Sequence, residues 1–458
     1  MDFQHRSWSR AGAALALSVL ASSAAAAAEP QRRPVPLREA LQLAAKQGPD
    51  VAAARAQAAI TRVGVERAFN YWKPDISATG TYDHVSAPSV LDFRTFTSPI
   101  GAVFGLTPVR PDLLPPPIII TNTNSRYGTL QLTQPFFTPR GVFQPGIANS
   151  SAESADRNAD QTRENVLLSV ARTYLTLQGI EGLLAAAYDA EKVALRREQD
   201  ARAQIAAGTA VELNLLRAQN DTAVARSQIA SLLGQQQSNL PVLEALVGEP
   251  IMPLPAGQSD AQELGKPADE ASEPWERTFG VQSAIAQLRA AQRSVTYDNF
   301  LWLPSVSGVA RGSYTSNLGF NGTNTYYDLI VNVNIPLYDQ GARYAQKHED
   351  QARLQQSIAS LASTRAQAKS NWQAARANLI SSQAVLEQNE AQVRVARRAQ
   401  VQTDVSFRAG VATSLDLQDA DNRLFQAQSS AAQARANLDI SRASVAAAEG
   451  RLYADSVR

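Results

Sequence analysis

Side chains able to do chemistry are sparse in this chain and poorly spaced for it. Its three histidines are His5, His84 and His348, and it has no cysteine. A zinc site needs several nitrogen, sulfur or carboxylate ligands converging on one point, which on a helix calls for two histidines about a turn apart. The run Lys347-His348-Glu349-Asp350 comes nearest, but Ala352 occupies the place of the second histidine. Glu349 and Asp350 lie in helix of exposed composition and read as a solvated face. No glycine-rich phosphate loop ending in Gly-Lys-Ser/Thr is present. Asp416 and Asp419, in "SLDLQDADN", are spaced to share one face of a helix. None of this assembles a nucleophile, an acid–base pair or a metal centre. The residues point to a protein that is not an enzyme and has no cofactor or resident metal.

Composition narrows the alternatives. Lys and Arg number 43 against 42 Asp and Glu, with no run of like charges, so nucleic acid is not an expected partner. Residues 1–28 read as a signal peptide: Arg6 and Arg10 form a basic start, Ala11 to Ala21 an apolar stretch, and small residues run up to Ala28. About 12 apolar residues are too few to span a bilayer. Beyond them no apolar stretch reaches the length of a transmembrane helix, so any membrane entry must be made by strands. The missing cysteines exclude disulfides and a lipid on a mature N-terminal cysteine.

What the chain does contain is internal repetition. "AGTAVELNLLRAQN" at 207–220 parallels "AGVATSLDLQDADN" at 409–422, at one offset (410 − 208 = 202). Residues 51–76 parallel 281–306 through Gln57/Gln287, Trp72/Trp302 and Pro74/Pro304 (302 − 72 = 230). Two structural repeats follow, 29–248 and 275–458, joined by a Pro-, Gly- and acid-rich connector at 249–274. Each begins with an alanine-rich helix (about 36–70 and 275–300) that ends near a Trp and a Pro. Alternating residues then predict β-hairpins at 75–137 (strands 75–86 and 127–137) and 305–338 (strands 305–316 and 326–338). The first hairpin's connection is long and proline-rich, and both connections have turn composition. Long helices are predicted at 143–207 and 342–409; at about 1.5 Å per residue each extends on the order of 100 Å, far beyond a globular helix. Trp372, Leu379, Leu386 and Val393 recur every seventh residue beside Ala375, Ser382, Asn389 and Ala396, a coiled-coil seam with a small second row. Gly208 and Gly410 fall where the long helices end, and shorter helices return at about 211–247 and 413–450.

Four strands cannot close a membrane barrel, which needs about eight or more. Their alternation, the export signal and aromatics near the strand ends (Tyr71, Trp72, Tyr127, Phe136, Phe137, Trp302, Tyr326, Tyr327, Tyr338) favour a lipid-facing sheet shared among copies.

With the duplicated halves, the "NIPLYDQG" junction at 334–341 and the "FRAGVATSLDLQDA" tip at 407–420, the mature chain resembles the TolC-type outer-membrane efflux proteins. The resemblance implies a mixed α and membrane-β fold: a homotrimer whose protomers give four strands each to a 12-stranded outer-membrane barrel, continued by a long α-helical barrel across the periplasm. It implies a passive exit duct for a tripartite efflux or type I secretion system, with outer-membrane lipid, a periplasmic adaptor protein and an inner-membrane pump or ABC transporter as partners. Asp416 and Asp419 match the family's inward-facing aspartates at the periplasmic entrance, where rings of carboxylates would favour cations. Ala207, Gly208, Thr209, Ala409, Gly410 and Val411 match tips that contact the adaptor. The family's arginine–aspartate latch has no counterpart, since Ala412 and Asn214 stand there; Arg217 and Arg408 are candidate substitutes. A periplasmic or surface coiled-coil scaffold is the competing reading, but it gains nothing from strands with one apolar face.

Overall fold

The computed structural model describes residues 32–92, 116–208, 211–255, 268–317 and 322–457. The expected signal peptide (1–28), Thr209 and the centre of the long first loop lie outside the described residues. Two compact units are formed, each drawing on both repeats. One holds Arg55–Ala159 and Phe279–Gln367; the other holds Met1–Ala54, Asp160–Thr278 and Ala368–Arg458.

The first of these units contains a four-stranded antiparallel sheet of β2 (Asp75–His84), β5 (Asn124–Phe137), β7 (Ser305–Thr315) and β8 (Thr325–Asn334), in the order β2-β5-β7-β8. One row across all four strands reads Ile76, Leu132, Ala310, Leu329, and the next reads Ser77, Gln131, Arg311, Asp328. Because partners in register share a face, the sheet has an apolar side and a polar side. Leu329, Val331 and Ile76 are exposed on the apolar side, so nothing among the described residues covers them. β2 and β8 are edges with no partner strand among the described residues. Each repeat anchors its strands with its tryptophan: Trp72 Nε1 donates to the Gly141 carbonyl at 3.0 Å, and the Arg343 guanidinium stacks 3.8 Å over Trp302.

The loop after β2 is not wholly irregular. β3 (Ser89–Leu91) pairs with β4 (Ile118–Thr121), and "IIIT" is a β-branched run whose strand propensity outweighed the surrounding prolines. Asp350 also departs from its expected solvated face. It is 5% exposed, accepts from Gln346 Nε2 at 2.9 Å, and lies against Asp298, itself 2% exposed. Burial, and then the Asp350 charge, push the Asp298 carboxyl up to about 6.

The first helical segment proves to be two helices, α1 (Leu37–Gln47) and α2 (Pro49–Phe69). Gly48 ends the first and Pro49 starts the second, where a missing N–H costs nothing. Leu37, Ala40, Leu41, Ala44 and Ala45, at helical spacing, are buried in the core with Leu167 and Tyr174 of α3 (Pro139–Ala206), Leu243 of α4 (Glu212–Val247) and Leu452 of α8 (Leu452–Val457). Each fully buried leucine contributes about 1.5–3 kcal/mol. Part of the connector joins this core: β6 (Ile251–Pro253) runs parallel to β1 (Arg33–Val35), and Ile251 is buried. The Tyr174 hydroxyl ties both down, donating to the Val35 carbonyl at 2.8 Å and accepting from Leu254 N at 3.0 Å.

The long helix α6 (Ala342–Arg408) follows α5 (Phe279–Asp298) and the second strand pair, and α7 (Ser414–Ala448) returns. Every position of the seven-residue seam, Trp372 through Val393 and Ala375 through Ala396, is buried or half-buried. Ser382 meets Ser441 of α7 at 3.0 Å, and Leu379 packs with Leu438 and Val445. Close approach of α3 to α7 rests on Gly179 and Gly182, where an added Cβ would lie 2.8 Å from Ala436 Cβ and 3.2 Å from Ala432 Cβ. No helix among the described residues is long and apolar enough to cross a membrane.

Candidate functional site

The long helices end by a common device. Gly410 has φ +78, its N–H reaches the Phe407 carbonyl at 2.9 Å, and Val411 N–H reaches that of Ser406 at 2.9 Å. This is a double backbone closure that only a left-handed residue permits. Gly208 has φ +72, and its N–H reaches the Ile205 carbonyl at 2.9 Å. Ala207 and Ala409 each donate back to the helix carbonyl four residues earlier. Around the turns, Val411, Leu415, Val211, Leu213 and Leu216 are exposed, so the tips are apolar as well as tight.

Asp416 is exposed and engaged locally. Its carboxylate accepts from Thr413 N at 2.8 Å and from the Thr413 hydroxyl at 2.7 Å, while Asp416 N donates to Thr413 Oγ1 at 3.2 Å. The pair forms a capping box at the start of α7. The Thr413 hydroxyl, then its backbone N–H, hold the Asp416 carboxyl below the usual range. Asp419, one turn on and also exposed, pairs with Arg423 at 2.9 Å. Both carboxylates are therefore exposed, three residues apart on α7.

Behind them lies a cluster that no sequence pattern announces. Arg197 of α3 pairs with Asp421 of α7 and donates to the Leu417 carbonyl at 2.9 Å. Gln418 holds Asp221 of α4 with its amide at 2.6 and 2.7 Å. Burial lowers the pKa of Arg197 and raises that of Asp221. A cleft of about 670 Å³ lies here, lined by Arg197, Arg217, Asp221, Asp404, Arg408 and Asp421 among others. Arg408, a candidate latch, pairs with Asp404 on its own helix at 2.8 Å. Arg217 is exposed and lines the cleft without an ion pair among the described residues. The cluster joins residues 197 to 421, a separation at which periodicity carries no information. No group of three metal-ligating side chains occurs among the described residues.

Comparison with known proteins places this geometry. The outer membrane efflux protein model matches residues 40–249 and 273–451, one span in each repeat. The pyoverdine export outer membrane protein OpmQ of Pseudomonas aeruginosa is 26% identical over 234 residues, covering 50% of this chain and 49% of OpmQ. The matched segment thus spans about half the length of that relative. Among solved structures, the outer membrane protein VceC of Vibrio cholerae superposes with a TM-score of 0.69 at 18% identity, covering 90% of this chain and 96% of VceC. The open state of the Neisseria gonorrhoeae MtrE outer membrane channel gives 0.72 at 17%, covering 90% and 88%. These two likenesses carry the fold, and the family assignment rests on the match to both halves: the chain belongs to the outer membrane efflux protein family.

Proposed function

We propose that three copies of this chain form an outer-membrane channel, the exit duct of a tripartite efflux or type I secretion system. The observation that carries the reading is the sheet: one apolar face, one polar face, and two edges without partner strands among the described residues. Four strands cannot close, and long bare edges invite pairing with another copy, β8 of one against β2 of the next. Three copies supply twelve strands around a polar lumen, and their long helices continue the duct through the periplasm. Transport is passive and takes its energy from an inner-membrane pump or ABC transporter, reached through a periplasmic adaptor. The tips at Ala207, Gly208, Thr209, Ala409, Gly410 and Val411 present the apolar turn that the adaptor grips. Asp416 and Asp419, repeated by the three-fold axis, ring the entrance with carboxylates and favour cations.

Planar-bilayer recording of the purified mature protein tests this. Wild type is expected to give small, cation-selective openings, and Asp416→Asn with Asp419→Asn to give larger, less selective ones. Asparagine at 416 keeps an oxygen for the cap, so the comparison reads charge rather than a frayed helix. A conducting double variant indistinguishable from wild type removes the gate assignment; a protein that never conducts removes the channel and favours a scaffold.

A further inference from the structure

The polar face of the sheet is nearly uncharged. Along β2 it carries Asp75, Ser77, Thr79, Thr81 and Asp83, with the two aspartates at the strand ends. On β5, β7 and β8 that face carries mostly serine, threonine, asparagine, glutamine and tyrosine, with Val309 and Ile330, and its charges there are Arg311 and Asp328. They are direct register partners on β7 and β8, with Arg311 Nη1 3.8 Å from Asp328 Oδ2. On the other side Arg311 Nε donates to Gln131 Oε1 at 3.3 Å, and Gln131 is its register partner on β5. Gln131 in turn donates to Thr133 Oγ1 at 3.2 Å, so its amide is fixed. The remaining oxygen of Asp328, Oδ1, is buried without a hydrogen-bond donor among the described residues. Asp328 lies on β8, an edge strand, where a neighbouring copy's β2 would bring Ser and Thr hydroxyls on the same face.

Resting on the channel reading above, we propose that the row Gln131, Arg311, Asp328 is a charge-compensated belt on the inner wall of the barrel, whose pairing keeps the membrane part of the lumen nearly unselective, independently of the tip carboxylates. Three arginines and three aspartates in one belt cancel, so wild type has little preference there. An unpaired set of either sign in a water-filled lumen with low-dielectric walls concentrates the opposite ion.

The test is a charge cycle in planar bilayers under a salt gradient. Asp328→Asn is expected to lower the K⁺/Cl⁻ permeability ratio at least about twofold, Arg311→Gln to raise it by a similar factor, and the double variant to return to the wild-type ratio. The chain has no cysteine, so Ser313→Cys, in the adjacent row of the same face, supplies a unique thiol. A drop in current on adding a charged water-soluble thiosulfonate shows that this face lines the lumen. If that drop is seen and both charge variants keep the wild-type ratio, or shift it in the same direction, the belt is overturned while the channel stands. If the protein conducts and the thiol never affects current, this face does not line the lumen and the belt is overturned; a protein that never conducts removes the channel and the belt with it. Should a single variant fail to insert, the double variant is decisive against the swap Arg311→Asp with Asp328→Arg: both are compensated and must share the wild-type ratio.

Discussion

Single residues in this protein carry more than one duty. Asp416 is both a helix cap and a carboxylate of the proposed entrance, so Asp416→Ala and Asp416→Asn are not equivalent. Hydrogen exchange over residues 414–418 is expected to accelerate in the alanine variant and stay near wild type in the asparagine one. Gly410 has open space where a Cβ would go, yet φ +78 penalises any L side chain by about 1–2 kcal/mol. Gly410→Val therefore loosens the turn and speeds proteolysis there, whereas asparagine is better tolerated. Glu164 is buried, accepting from Tyr453 N at 3.2 Å, and burial raises its pKa to about 7 from 4.5. A carboxyl raised on folding contributes fully at pH below about 4.5 and loses that contribution as pH climbs through about 7. Glu164→Gln should thus gain in melting temperature over wild type as pH rises across that window; an unchanged difference would refute the assignment. Of the site, the turn glycines are legible in the sequence because turns are local chemistry, while Asp416 and Asp419 come from their spacing and the family resemblance, and the capping role of Asp416 shows only in the structure. The Arg197–Asp421 and Asp221–Gln418 contacts are not legible, since they join helices far apart in sequence.

At the scale of elements, the seven-residue seam on α6 was visible in advance because a period is intrinsic to one helix. The break between α1 and α2 turned on Gly48-Pro49, and β6 formed inside a connector because Ile251 is buried in the core that also holds Val35 of β1. Neither follows from composition alone, since tertiary contacts decide short strands. The glycines that let α3 approach α7 give a test here. In Gly179→Val the new side chain meets Ala436 Cβ, and overpacking of this kind costs about 1–3 kcal/mol. Thermal unfolding should report a lower melting temperature for it, partly recovered by Ala436→Gly in the same chain. No recovery would mean that the helices meet elsewhere.

For the whole molecule, the decisive fact is incompleteness. Among the described residues the sheet leaves two edges open and an apolar face uncovered, while the polar face carries a compensated pair suited to water. Duplication accounts for this: each repeat supplies one strand pair and one long helix with its return, and two repeats still fall short of a closed barrel. Edge closure by another copy is what turns a family resemblance into a duct. Native mass spectrometry of the protein extracted from outer membranes and held in detergent measures this directly. The prediction is a single assembly of about three times the mature-chain mass, since three copies reach the twelve strands of the shared barrel. A monomer or dimer as the only folded species would leave too few strands to close and would contradict the channel.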